Sequence, residues 1–163
     1  MTQWIDPVAD AGGKSYTFHL EALKAAPGSA ESLNEALALV EHIHARGMRA
    51  AVAISPDTPA SAIVDELGNA VEMLLVMTVV PGKGGQKFIE ACVPKVVELR
   101  QRFPTKDLQV DGGVGPGTVG SCTSAGSNVI VAGTALFGAK DPASVMNDMK
   151  AAVDNSKASW KKS

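Results

Sequence analysis

Strong charge of either sign is missing from this chain. Its 163 residues carry 15 Lys and Arg against 17 Asp and Glu, a net charge of −2. That balance leaves no electrostatic case for nucleic acid or an anionic membrane as a partner. Long apolar runs are missing too, since nothing approaches the roughly 18–20 residues that cross a bilayer. The opening residues, MTQWIDPVADAGG, place acids and a proline where a secretory signal has a basic start and an apolar stretch. The chain is therefore expected to be cytoplasmic. Cysteine is scarce: Cys92 and Cys122 stand far apart, in no CxxC and in no spacing shared with a histidine, and both are read as reduced structural thiols. Repeats, low-complexity tracts and signs of an internal boundary are also lacking, so residues 1–163 are expected to form a single domain. What is present is 45% hydrophobic and 20% charged residues, the composition of a globular protein able to bury a core.

Apolar segments alternate with helical periodicity along the chain. Strands are expected at SYTFHLE (15–21), RAAVAIS (49–55), EMLLVMTVV (72–80), LQVD (108–111) and NVIVAG (128–133). Helices are expected at about 3–11, at 31–47 with Leu33, Leu37, Val40 and Ile43 inward, and at about 60–67. Further helices are expected at 87–103, with a bend or restart at Pro94, at 115–126, and at 141–156 with Asp141 as N-cap. Five strands each followed by a helix imply a parallel sheet covered by helices. Two architectures fit: a five-stranded doubly wound sheet, or part of a (β/α)8 barrel, which needs roughly 200 residues or more.

Glycines discriminate between them. VPGKGGQ (80–86), DGGVGPG (111–117) and AGTALFG (132–138) follow three successive strands. Glycine lets the backbone approach a ligand closely, and its N–H groups can cradle a phosphate without a basic side chain. A doubly wound sheet concentrates that task after its first strand, where this chain has the unsuited EALKAAPGS. A cradle built from late strands is the barrel arrangement.

VMTVVPGKGGQKF, LQVDGGVGP and VIVAGTALFG, with YTFHLEA upstream, closely resemble ribulose-phosphate 3-epimerase from about Gln3 to Asn155. The resemblance implies a parallel (β/α)8 TIM barrel, here incomplete at about five βα units. It implies interconversion of D-ribulose 5-phosphate and D-xylulose 5-phosphate, with a phosphorylated pentulose as substrate. It also implies a divalent metal of the Zn, Fe, Mn or Co class. Matched residue by residue, the substrate and phosphate contacts fall on Gly82, Lys83, Gly84, Gly85, Gly112, Gly113, Gly133 and Thr134, with Met77 lining the pocket. Asp111 matches a carboxylate that serves as metal ligand and as one of two acid/base groups. Lys83 stands where the family usually has an aromatic residue; a flexible cation there either reaches the phosphate or leaves that loop less well packed, the second being the stronger expectation.

Inverting a carbon beside a ketone requires proton removal on one face and return on the other, so two acid/base groups must flank it. The family holds its metal with two histidines and two aspartates. Three of those four ligands, including the second acid/base aspartate, belong to strands that the matched segment does not contain. His19 matches a family histidine outside the ligand set and is expected to be packed or hydrogen-bonded. His42 and His44, two apart on a helix, point to different faces, and Asp57, Asp65 and Glu66 are expected to be solvated. The chain alone is therefore expected to lack epimerase turnover. It is also expected to associate through open sheet edges, as a homo-oligomer or with another chain, because a partial barrel exposes strand edges and an apolar sheet face. A phosphosugar-binding pseudoenzyme or an assembly element of the same fold are the alternatives.

Overall fold

The computed structural model describes residues 2–82 and 85–160. Five parallel strands form one sheet: β1 (Ser15–His19), β2 (Arg49–Ile54), β3 (Met73–Met77), β4 (Asp107–Asp111) and β5 (Val129–Val131). They lie side by side in sequence order, β1-β2-β3-β4-β5. That order decides between the two architectures. A doubly wound sheet reverses direction part-way across, whereas a barrel is wound one way only. The structure is thus an arc of a barrel, with β1 and β5 as its two ends.

Helices α1 (Ile5–Asp10), α2 (Ala30–Ala45), α3 (Asp65–Ala70), α4 (Val93–Arg102), α5 (Val119–Ser124), α6 (Thr134–Phe137) and α7 (Pro142–Trp160) accompany the strands. Local chemistry sets their ends. The Ser29 hydroxyl caps α2 by accepting from the Ser32 N–H at 3.1 Å, and Gly47, at φ +73°, reverses the chain just past it. Asp141 caps α7 by accepting from the Ser144 N–H at 3.0 Å, with Pro142 as its first residue.

Several boundaries differ from the sequence reading. Pro94 occupies the first turn of α4, after a 3-10 turn at Glu90–Cys92; it opens the helix, because a missing N–H costs nothing there. Residues 87–89 are not helical. The α2 face is rotated: Ser32, Ala36, Leu39, Val40 and Ile43 are buried while Leu33 and Leu37 are only half-buried. Small residues let that face lie close on the sheet. α6 is an additional element.

The core is asymmetric. Phe18, Val52, Ile54, Leu74, Val76, Leu108 and Val110 point outward from the sheet into the helices, in the large core cluster. Each fully buried side chain of this kind contributes about 1.5–3 kcal/mol. On the inner face, among the described residues, Ala53, Leu75, Met77 and Val79 form a small buried cluster. The expected exposed apolar sheet face is accordingly small, because the curl of the sheet buries its middle. Exposed large apolar residues sit instead at margins, among them Trp4, Val131, Met146 and Phe137.

The end of the sheet opposite the glycine clusters is fastened by Arg100. Its buried guanidinium donates to the carbonyls of Gly126 at 2.7 Å, Pro104 at 2.9 Å and Lys106 at 2.8 Å, and to Asn128 Oδ1 at 3.1 Å. Asn128 Oδ1 also accepts from the Leu108 N–H at 2.7 Å, and its Nδ2 donates to Asp107 at 2.8 Å. This network fixes where β4 and β5 begin, and therefore where their far ends emerge.

Candidate active site

Asp111 and Met77 are register partners at the ends of β4 and β3. Both belong to the inner face, since alternate residues Val110 and Val76 belong to the outer core. Beyond them the two chains stay joined: the Thr78 N–H donates to the Asp111 carbonyl at 2.8 Å, and the Thr78 hydroxyl donates to the Gly112 carbonyl at 2.6 Å. The Ile89 N–H then returns to the Thr78 carbonyl at 2.8 Å, closing the base of the loop after β3. Within that loop, Gln86 Nε2 donates to the Val80 carbonyl at 2.5 Å.

Glycine is required where these loops meet. Gly112 has φ +122°, and a Cβ there would stand 2.4 Å from Val79 Cγ2. Gly113 has φ +65°, and a Cβ there would stand 2.5 Å from the Phe88 backbone nitrogen. Both conformation and space exclude a side chain. The loop after β4 can lie against the loop after β3 only because these two positions are bare.

The result is a hollow of about 360 Å3 at the strand ends. Met77, Asp111, Gly112 and Gly113 line it from β3 and β4; Gly82 and Gly85 come from the loop after β3, and Gly133 and Thr134 from the start of α6. Lys83 and Gly84 lie outside the described residues. Val79, Pro81 and Gln86 also line the hollow. The sequence reading passed over these three, although Gln86 sits inside the quoted GGQKF motif.

Burial pushes the Asp111 carboxyl above its usual value, and nearby His19 pulls part of that back. Asp111 is the one titratable side chain among the described residues lining the hollow. Elsewhere, His42 Nε2 meets Asp6 at 3.0 Å and His44 Nε2 meets Glu72 at 3.1 Å, so they do face apart, each in a surface hydrogen bond. Asp65 pairs with Arg102 at 2.8 Å. Among the described residues no three His, Cys, Asp or Glu side chains come together to hold a metal ion. Asp111 alone supplies too few donors to hold a divalent ion.

The family pattern "Ribulose-phosphate 3 epimerase family" matches residues 1–137. The chain belongs to the ribulose-phosphate 3-epimerase family. It is 47% identical over 148 residues to the ribulose-phosphate 3-epimerase of Eremothecium gossypii, covering 91% of this chain and 57% of that protein. It is 41% identical over 157 residues to the cytoplasmic isoform of Oryza sativa subsp. japonica, covering 95% of this chain and 65% of that one. The chain thus spans about three fifths of the length of these curated relatives. Among solved structures it resembles 3-hexulose-6-phosphate synthase from Salmonella typhimurium, with a TM-score of 0.69 at 19% identity, covering 95% of this chain and 68% of that one. At that identity the likeness speaks for the fold, a partial barrel of the kind the strand order describes. For an epimerase-family chain, the hollow at the carboxyl ends of the strands is where a barrel carries its chemistry.

Proposed function

We propose that this chain forms the phosphate-holding half of a ribulose-phosphate 3-epimerase site, acting on D-ribulose 5-phosphate and D-xylulose 5-phosphate. The observation that carries the reading is the placement of Asp111 beside Met77, at the mouth of a hollow walled by bare glycine backbone. The glycine loops hold the phosphate; the sugar carbons lie toward Met77 and Asp111. Asp111 takes a proton from, or returns one to, one face of the carbon beside the ketone. Its raised carboxyl value suits that work, because an acid/base group is most effective when its pKa lies nearer the working pH.

Inversion needs a second group on the opposite face, and no other carboxylate lines this hollow among the described residues. The chain alone is accordingly a phosphosugar-binding partial barrel of one domain, without epimerase turnover. Asp111 would give one donor to the divalent cation that the resemblance implies, and no further His, Cys, Asp or Glu joins it to form a metal-holding group among the described residues. Cytoplasmic residence goes with this reading, as for the cytoplasmic isoform among the relatives. No helix of the described residues is long and apolar enough to cross a membrane.

The ends of the sheet favour association. Beside β5 a groove of about 400 Å3 is lined by Ile130, Leu136, Met146, Met149 and Val153. Phe137 is 86% exposed near it, and β5 has a neighbour on one side only. Parallel strands with one free edge pair readily with further strands. The chain is expected to be oligomeric, or to close by pairing with strands of another chain.

The test is a binding isotherm for inorganic phosphate and D-ribulose 5-phosphate, with the unaltered chain and with Gly85→Val. Saturable binding that the substitution weakens at least about tenfold supports the reading; binding indifferent to Gly85 contradicts it.

A further inference from the structure

His19 closes β1, paired in register with Ala53, and the outward-facing Phe18 before it places His19 on the inner face. Through the pairing of β1 with β2 and of β2 with β3, His19 lies in line with Ala53 and Leu75, on the same inner face as Met77 and Asp111 and two residues short of them.

The imidazole is backed by a carboxylate. His19 Nδ1 faces Glu21 Oε2 at 3.6 Å, with His19 38% exposed. Glu21 is itself fixed, since its Oε1 accepts from the Ser55 N–H at 2.7 Å. Glu21 Oε2 is buried and accepts no hydrogen bond among the described residues. With Nδ1 on the Glu21 side, Nε2 is the ring nitrogen left to meet a ligand.

A second hollow, of about 410 Å3, is lined by Thr17, His19, Glu21, Ser55 and Pro81, among others. Pro81 is also a wall of the glycine hollow, so the two adjoin. A molecule with phosphate among the glycines and its carbon chain passing Met77 and Asp111 leads toward the second hollow. Glu21 and Asp111 would repel a carboxylate there, whereas an uncharged hydroxyl can donate to an imidazole nitrogen.

We propose that His19 is a substrate-positioning residue, its Nε2 accepting a hydrogen bond from a hydroxyl at the unphosphorylated end of a ketose phosphate seated in the glycine hollow. This rests on the reading of that hollow as a phosphosugar site. It goes beyond that reading by assigning the other end of the ligand, and it predicts a preference for hydroxyl-terminated over carboxylate-terminated phosphates.

The experiment compares isotherms for D-ribulose 5-phosphate and inorganic phosphate across the unaltered chain, His19→Ala, His19→Gln and Glu21→Gln, with a thermal melt of each. His19→Ala is expected to weaken D-ribulose 5-phosphate binding about five- to tenfold, the worth of one hydrogen bond, and to leave inorganic phosphate within about twofold. His19→Gln, whose amide reaches the Nε2 position, restores most of the loss. Glu21→Gln falls between, because the ring is less firmly set. Equal weakening of both ligands by His19→Ala would mark a structural role and overturn the proposal, as would no change in either. If the unaltered chain binds phosphate but holds D-ribulose 5-phosphate no more tightly, His19 has no such role while the glycine hollow stands. If it binds neither, the phosphosugar reading falls and this inference falls with it.

Discussion

Replacing Gly113 by alanine separates the packing role of these glycines from their ligand role. At φ +65° a residue with a Cβ bears about 1–2 kcal/mol of backbone strain. The added methyl would also stand 2.5 Å from the Phe88 nitrogen and 2.9 Å from its Cα. Those are backbone atoms, which cannot swing aside as a side chain tip would. Overpacking of that sort costs a further ~1–3 kcal/mol. Together they give about 2–5 kcal/mol, which lowers Tm by roughly 4–20 °C in a chain of this length. Two controls divide the sum. Gly12 has φ +86° with nothing within 4 Å, so Gly12→Ala shows the strain alone. Gly120 has ordinary φ, lies in α5 and has open space around it, so Gly120→Ala is expected to stabilise by about 0.5–1 kcal/mol. Thermal melts of the three variants supply the comparison. If Gly113→Ala melts with Gly12→Ala, the loops yield freely and the close approach carries no energy; if it melts with the unaltered chain, the whole argument is wrong.

Further outcomes follow from the same contacts. Arg100→Met leaves several buried carbonyls without a donor and should destabilise by about 3 kcal/mol; Arg100→Lys should recover little, because an ammonium cannot span the fork. Denaturant midpoints check both. For Asp107, burial alone would raise the carboxyl, but the bonds from Asn128 and Arg49 outweigh it and hold it below its usual value. A depressed folded value contributes stability above the ordinary carboxylate range and loses it as pH falls through the folded one. Asp107→Asn should therefore be less stable at pH 7, with the gap closing in acid; an equal gap at both pH values would refute this. Burial pushes the Cys122 thiol up to about 12, so it should resist thiol reagents at pH 8 until the chain unfolds. Labelling of the native protein at a free-thiol rate would contradict that. Lys95 Nζ donates to the carbonyls of Ser55 at 3.1 Å and Thr58 at 2.6 Å; Lys95→Met should speed amide exchange across 55–58, and unchanged exchange there would show that the loop holds itself.

The parallel arc was legible because its central strands are unbroken apolar runs and its helices are amphipathic. Gly47, Asp141 and Pro142 announced their helix ends correctly. What misled was the face of α2, where leucines at good spacing drew attention from the small residues, Ser32 and Ala36, that lie on the sheet. Pro94 was ambiguous because a proline inside an apolar run reads equally as bend or start. At the site, the glycine motifs pointed to one end of the sheet, and Gly82, Gly85, Gly112, Gly113 and Gly133 do line one hollow with Asp111 and Met77. Sequence could not separate a glycine that admits a ligand from one that admits another loop; at Gly112 and Gly113 the second need is already absolute. His19 was expected to be packed or hydrogen-bonded because it matches a family histidine outside the ligand set; its contact with Glu21 Oε2 at 3.6 Å joins residues two apart in the chain but could not be read from their spacing.

The most direct measurement is a 31P NMR titration of D-ribulose 5-phosphate with the isolated chain, followed over hours. The account predicts a saturable shift of the phosphate resonance, abolished in Gly85→Val, with no D-xylulose 5-phosphate resonance emerging. Steady growth of the xylulose signal with the isolated chain, or a phosphate resonance that never moves, would contradict it.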